Sequence, residues 1–367
     1  MNPIGMHKFD LETPALLLDI EAAELNLRRM MRFLDEKGVR LRPHVKLHKA
    51  TPALAQMQID AGAIGMTCAK VSEAEVLVRA GIRDILIANQ IIGAVKIERL
   101  IALTRTADVK SAVDSPEGIA ALSAAAARAG VTLGVLIEVN IGHNRCGVAP
   151  FAPALDLARQ IIAAPGLELR GIMGYDGHCT LKVTESEREG LSRAANALLA
   201  EARRYLEAHG ILLEIVSASG TFTYRFAADT PGITEVQAGT YLLMDTGFYD
   251  HGVREFEPAL TVLTTVISRP TYPGANGLAV IDTGAKSVSL ALGAPTVRHP
   301  AGVTFVSLSD QHGRVRAGEG APLRIGDKVE LWVRDANGTI NHFNRFYVVR
   351  GDRVETVWEI PLCGDST

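Results

Sequence analysis

The chain has 367 residues, 47% hydrophobic and 22% charged, with a formal net charge of −3 and a pI near 6.4. That is the balance of an ordinary soluble globular protein, long enough for one large domain and a smaller one. It excludes a basic footprint for nucleic acid and a polybasic membrane signal, and no apolar run approaches the ~18 residues of a membrane span.

Taken in chain order, β-branched runs alternate with longer amphipathic stretches over residues 15–250. The runs are ALLLDI, LRPHVKL, AIGMTCA, DILIANQ, VKSAVDS, LGVLIEVN, LRGIMGY, LEIVSASG and ITEVQAG. Between them lie helical patterns such as EAAELNLRRMMRFLDEKG, several closed by a glycine (Gly38, Gly62, Gly81, Gly130, Gly210). Strands alternating with helices of this length predict βα units and a parallel sheet. Setting ALLLDI aside leaves the eight strands of a (β/α)8 TIM barrel. The rival, an open doubly wound sheet, lacks its G-x-G-x-x-G turn after the first strand. Beyond about residue 255, ALTVLTTVISRP, GLAVIDTG, VTFVSLSD, KVELWVRD and RFYVVRGD follow one another through Gly, Pro, Asn and Asp turns without helices. They predict an all-β domain that ALLLDI is free to join. The expected division is residues 20–252 for the barrel and 1–19 plus 253–367 for the β-domain. The start, MNPIGMHKFD, has no signal-peptide pattern, and Cys68, Cys146, Cys179 and Cys363 form no C-x-x-C pair. Reduced thiols in a cytoplasmic protein are expected.

A (β/α)8 barrel works at the C-terminal ends of its strands. Those ends offer Lys46 and His48, Cys68 and Lys70, Asn89 and Gln90, Asp114, and residues 140–145 and 175–178. They also offer two hydroxyl- and glycine-rich turns, SASGT (217–221) and QAGTY (237–241). Barrels hold phosphate at such turns after the seventh and eighth strands, through backbone N–H groups; either turn alone would read as an ordinary loop. Lys46 lies in RLRPHVKLHKA (40–50), which reads as a strand crowded with Arg42, His44 and His48. Like charge and desolvation both lower a lysine pKa and make the amine nucleophilic. A nucleophilic lysine facing a phosphate cradle is what a pyridoxal phosphate enzyme needs. The plain alternative leaves Lys46 and Lys49 solvated at the strand end, and these residues alone do not choose.

The ordered motifs TPALLLDI, RPHVKLHK, VSEAE, DILIANQ, NRCGV, GYDGH, SASGT, QAGTYLLMD, SDQHG and NRFYVVRG resemble the D-threonine aldolase and D-serine dehydratase family. These are fold-type III pyridoxal phosphate enzymes with an alanine racemase-like barrel. The resemblance implies pyridoxal 5'-phosphate as cofactor and Lys46 as the Schiff-base lysine, with Lys49 a solvated neighbour. It implies Arg145 at the phenolic oxygen of the ring, Tyr175 beside the ring, and Ser219, Gly220, Thr221, Gly239, Thr240 and Tyr241 at the phosphate. It also implies a homodimer acting on a small D-amino acid, with no nucleic acid or membrane partner.

Two positions depart from the family pattern. Relatives carry a His-x-Cys or His-x-Asp metal pair before a T-V-N segment. Here T-I-N puts Asp335 and Asn337 on those positions, hard oxygen donors suited to Mg²⁺ or Mn²⁺, or simply a D-A-N-G β-turn. His312 and His342 are possible nitrogen donors nearby in sequence. The histidine that aldolases place six residues after the ring-side tyrosine is Leu181 here, which leaves His178 as the expected base and His143 as a second candidate. The expected function is a lyase cleaving D-β-hydroxy-amino acids to glycine and an aldehyde. The alternatives are D-serine or D-3-hydroxyaspartate dehydratase-type β-elimination, a metal-independent amino-acid racemase, or a pyridoxal phosphate carrier, although carriers lack the C-terminal β-domain. A cofactor-free barrel binding a sugar phosphate is the remaining reading.

Overall fold

The computed structural model describes residues 2–180, 184–320 and 323–364. It divides into two units: one comprises Met30–Lys46 and Pro52–Gly239, the other the chain up to Arg29, Leu47–Thr51 and the chain from Thr240 on. The first strand, β1 (Ala15–Asp19), belongs to the second unit. The next eight belong to the first: β2 (Arg40–Leu41), β3 (Met66–Cys68), β4 (Asp84–Gln90), β5 (Asp108–Val113), β6 (Leu133–Glu138), β7 (Leu167–Gly174), β8 (Ile215–Ala218) and β9 (Glu235–Val236).

Those eight strands pair parallel in the order β2-β9-β8-β7-β6-β5-β4-β3. The ring closes around a His44–Thr67 bridge, where Val45 N–H donates to Thr67 O and Thr67 N–H to Pro43 O, each at 2.9 Å. The predicted (β/α)8 barrel is therefore present. A parallel sheet covered on both faces needs continuous apolar strands, and β6 is buried at every position. The helix Pro116–Ala129 shows why the connections fold locally. Ser115 caps it by accepting from Gly118 N–H at 3.2 Å, proline opens its first turn, and Gly130 ends it at φ +64.

The barrel interior is layered. Leu86, Ala112, Leu136, Met173 and Ile215 form an apolar cluster. At the N-terminal ends of the strands lies an ionic layer: Arg42 bonds Glu235 at 2.9 Å and also Asp84, while Lys110 bonds Asp84 at 2.9 Å and Asp108 at 2.7 Å. Arg42, Lys110 and Glu235 are almost wholly buried and are tolerated because each is paired.

The second unit adds β10 (Leu260–Ser268), β11 (Leu278–Ile281), β12 (Thr296–His299), β13 (Val303–Leu308), β14 (Gly313–Ala317), β15 (Lys328–Trp332), β16 (Arg345–Arg350) and β17 (Arg353–Glu359). As expected, β1 joins this sheet, antiparallel to β10 and parallel to β16. The sequence pattern missed β12, β14 and β17 for one reason: they are half-exposed and charged. In β14, for example, buried Val315 sits between exposed Arg314 and Arg316. Among the described residues no helix is long and apolar enough to cross a membrane.

Candidate active site

Backbone pairing decides where Lys46 stands. Arg42 N–H donates to Val236 O at 3.0 Å and His44 N–H to Ala238 O at 3.3 Å, while Val45 is bonded to Thr67 on the other side. The chain then leaves the sheet and turns through residues 45–50. The strand expected through Leu47 therefore ends early, and Lys46 sits just past it at the barrel mouth, its N–H donating to His44 Nδ1 at 3.2 Å. Its side chain is open to water yet ringed by protein, as a concave mouth allows. This desolvation first, then the charge of Arg145, draws the Lys46 pKa below the ordinary lysine range, with Glu73 opposing. The cause differs from the one the sequence suggested: Arg42 is not beside the amine but is committed to the ionic layer with Glu235 and Asp84.

Around this mouth the end of β7 and the loop after β6 bring four groups together. The Arg145 guanidinium lies 5.5 Å from the Tyr175 ring centroid, and 3.8 Å from Glu138. The His143 ring meets Tyr175 edge-on at 5.4 Å and stacks with His178 at 6.4 Å. Glycines make this packing possible: a Cβ at Gly177 would lie 2.4 Å from the Tyr175 ring and 2.8 Å from His143. Burial, with Asp176 adding to it, pushes the Tyr175 hydroxyl up to about 12. Desolvation, then Arg145 and His178, lowers the His143 pKa below the ordinary imidazole range, with Asp176 opposing. His178 Nδ1 is buried with no hydrogen-bond partner among the described residues. Leu181 lies outside the described residues.

The loop after β8 carries Ser219, Gly220 and Thr221. Ser219 is buried in the left-handed region at φ +66, and a Cβ at Gly220 would stand 3.4 Å from the Tyr175 ring, an ordinary contact. Gly239 is required by contact, since a Cβ there would be 2.3 Å from the His44 carbonyl oxygen. Thr240 and Tyr241 fall in the second unit. There Thr240 O accepts from Met244 N–H at 2.9 Å, and the fully buried Tyr241 ring packs against Phe256 at 5.6 Å.

The segment at 335–338 is not the expected β-turn but the start of a short helix, Ala336–Ile340, capped by Asp335. Asp335 Oδ2 accepts from Ser289 Oγ at 2.5 Å and Oδ1 from Gly338 N–H at 3.3 Å. Both carboxylate oxygens are thus engaged, and among the described residues no group of three or more His, Cys, Asp or Glu is arranged to hold a metal. Sequence reasoning passed over Glu138, which accepts from Gln90 Nε2 at 2.5 Å and whose pKa burial raises. The signal was available: a lone carboxylate at the end of an otherwise apolar strand.

Against known proteins, residues 18–247 match the family model described as alanine racemase, N-terminal domain. The chain belongs to this family. A serine dehydratase domain model matches residues 259–349. Within the family the chain is similar to 3-hydroxy-D-aspartate aldolase from Paracoccus denitrificans (strain Pd 1222), 36% identical with 98% of this chain and 94% of the relative covered. It is likewise similar to D-threonine aldolase from Arthrobacter sp, 37% identical over 97% and 94%. The crystal structure of D-threonine aldolase from Filomicrobium marinum superposes with a TM-score of 0.93 at 36% identity, covering 99% of both chains.

Proposed function

We propose that this chain is a pyridoxal phosphate-dependent lyase of the D-threonine aldolase type, splitting D-β-hydroxy-amino acids between Cα and Cβ into glycine and an aldehyde. The observation that carries the reading is the Lys46 amine at the barrel mouth, drawn down in pKa beside Arg145. Near full-length likeness to two aldolases supports it.

The residues suit the cofactor's three handles. Lys46 offers an amine to its aldehyde. Arg145, held over Tyr175, offers a cation to its phenolic oxygen. The Ser219–Gly220 turn follows the C-terminal end of β8, the place where a barrel suits its phosphate, and Ser219 holds a left-handed backbone there. In this reading Thr221 and Gly239 complete the phosphate set. When bound, the cofactor supplies an electrophile for the substrate amine and a ring that draws off the electron pair of the breaking bond.

The remaining work falls to the chain's own side chains. With its pKa lowered, Lys46 presents a larger neutral, nucleophilic fraction than an ordinary lysine. In this reading His178 takes the β-hydroxyl proton, from its place three residues after Tyr175 and stacked on His143. His143, its pKa lowered and its ring set edge-on to Tyr175, is the second candidate. Asp335 and Asn337 do not by themselves make a divalent-ion site: among the described residues no third His, Cys, Asp or Glu joins them, and no step is drawn through a metal.

The second reading is β-elimination of water, favoured by the serine dehydratase domain match over 259–349; Lys46 would then take the Cα proton. We also read the protein as a cytoplasmic homodimer, a reading supported by its four free thiols and by the resemblance. The functional division into residues 20–252 and 1–19 with 253–367 is kept on the same footing. The test is incubation of cofactor-loaded protein with D-threonine, D-phenylserine and D-serine. Glycine plus an aldehyde is the expected outcome, a 2-oxo acid from D-serine would favour elimination, and no turnover of any of them would sink both.

A further inference from the structure

We propose that Asp176 is the positioning residue of the anion-binding loop, which it reaches through Thr223 and Ser219. The inference rests on the cofactor reading above and adds what sets the geometry of its phosphate end.

Asp176 follows Tyr175 and is completely buried. Its Oδ2 accepts from Ser192 Oγ at 2.7 Å and Asn196 Nδ2 at 3.3 Å, two residues one turn apart on the helix Glu185–Ala208. Its Oδ1 accepts from Thr223 Oγ1 at 2.9 Å, and Thr223 Oγ1 lies 2.7 Å from Ser219 Oγ. Burial raises the Asp176 pKa above the usual carboxylate range, and these three donors oppose that rise.

A hydroxyl carries one proton. Thr223 gives its proton to the carboxylate, so Ser219 must give its own to Thr223. The chain of bonds therefore runs one way, from Ser219 through Thr223 to Asp176. Two consequences follow. Serine stays in the left-handed region only when its surroundings hold it there, and this chain of bonds is the holder. The Ser219 proton is also spoken for, so an anion meets this loop through backbone N–H groups rather than through that hydroxyl. One buried carboxylate thereby ties the ring-side tyrosine to the phosphate cradle.

The distinguishing measurement compares affinity for pyridoxal phosphate with affinity for pyridoxal, which lacks the phosphate, by titration of cofactor-stripped protein. Asp176→Asn also loosens Ser192 and Asn196, so Thr223→Val and Ser219→Ala are the decisive pair, with Thr223→Ser as the conservative rescue. Each of the two should weaken pyridoxal phosphate roughly tenfold, the scale of one hydrogen bond, and leave pyridoxal within about twofold. Thr223→Ser should restore wild-type affinity. Equal weakening of both ligands, or of neither, overturns the role of Asp176 while leaving the cofactor reading intact. Failure of the unmodified protein to bind either ligand overturns the cofactor reading itself, and this inference with it.

Discussion

At the residue scale, the chemistry of the site comes down to the state of a few nitrogens. Lys46 stands at the open barrel mouth, outside the apolar core, so its truncation removes chemistry without touching that core. Lys46→Ala should keep the melting transition within about 0.5 kcal/mol of wild type. It should also abolish borohydride-fixed labelling by pyridoxal phosphate, as peptide mass spectrometry would read. The two histidines separate by kinetics. If His178 takes the β-hydroxyl proton, His178→Asn should lower kcat on the order of 10²–10⁴-fold with little change in KM. The same change at His143 should act mainly through the seating of Tyr175. A larger kcat loss at His143 would reverse the assignment.

At the scale of elements, the short helix Ala336–Ile340 explains why positions 335 and 337 look like a metal pair and are built as a cap. Asp335 bonds Ser289 and Gly338, and the neighbouring Asp245 accepts from Phe248 and Ala336 N–H groups at 2.7 and 2.9 Å. Asp335→Ala should cost about 1 kcal/mol of stability, the usual worth of an N-cap. Chelator should leave turnover unchanged; rescue of chelated enzyme by Mn²⁺, lost in Asp335→Ala, would restore the metal reading. Asp245 carries a pH dependence of defined sign. Burial first, with Asp335 adding to it, raises its carboxyl to about 6 against an ordinary value near 3.8. A raised folded-state pKa means the native state holds the proton more tightly. The stability contributed is therefore full below about pH 4 and lost as pH rises through about 6, to the extent of about 3 kcal/mol. Denaturant melts at pH 4.5 and 7 should show about 2 kcal/mol of this loss in the wild type, the rest having gone below pH 4.5, and a flatter profile in Asp245→Asn.

At the scale of the whole molecule, the barrel depends on closure at β2 and β9 and on a buried ionic layer beneath its apolar cluster. Arg42→Met would strand the buried Glu235 beside one lost partner and should destabilise by about 3–5 kcal/mol. Exchanging both members for apolar residues should recover most of that, which denaturant unfolding would measure. A Cβ at Gly239 would strike the His44 carbonyl, so Gly239→Ala should loosen the closure and the site together.

Much of this was legible in the chain itself. Period and run length named the barrel strands, because a parallel strand buried on both faces must be apolar throughout. Ordered motifs picked out Lys46, Arg145, Tyr175 and the glycine-rich turns as the set to examine. Strands with one wet face, such as β14, escaped notice because their arginines mask the alternation. Only the tertiary structure decided what each charge faces: Arg42 points into the ionic layer and Arg145 towards Glu138 and the Tyr175 ring, while Asp335 caps a helix and Asp176 is bonded to a loop from inside. Partners of that kind are far apart in the chain, and no local pattern encodes a distance that folding alone creates.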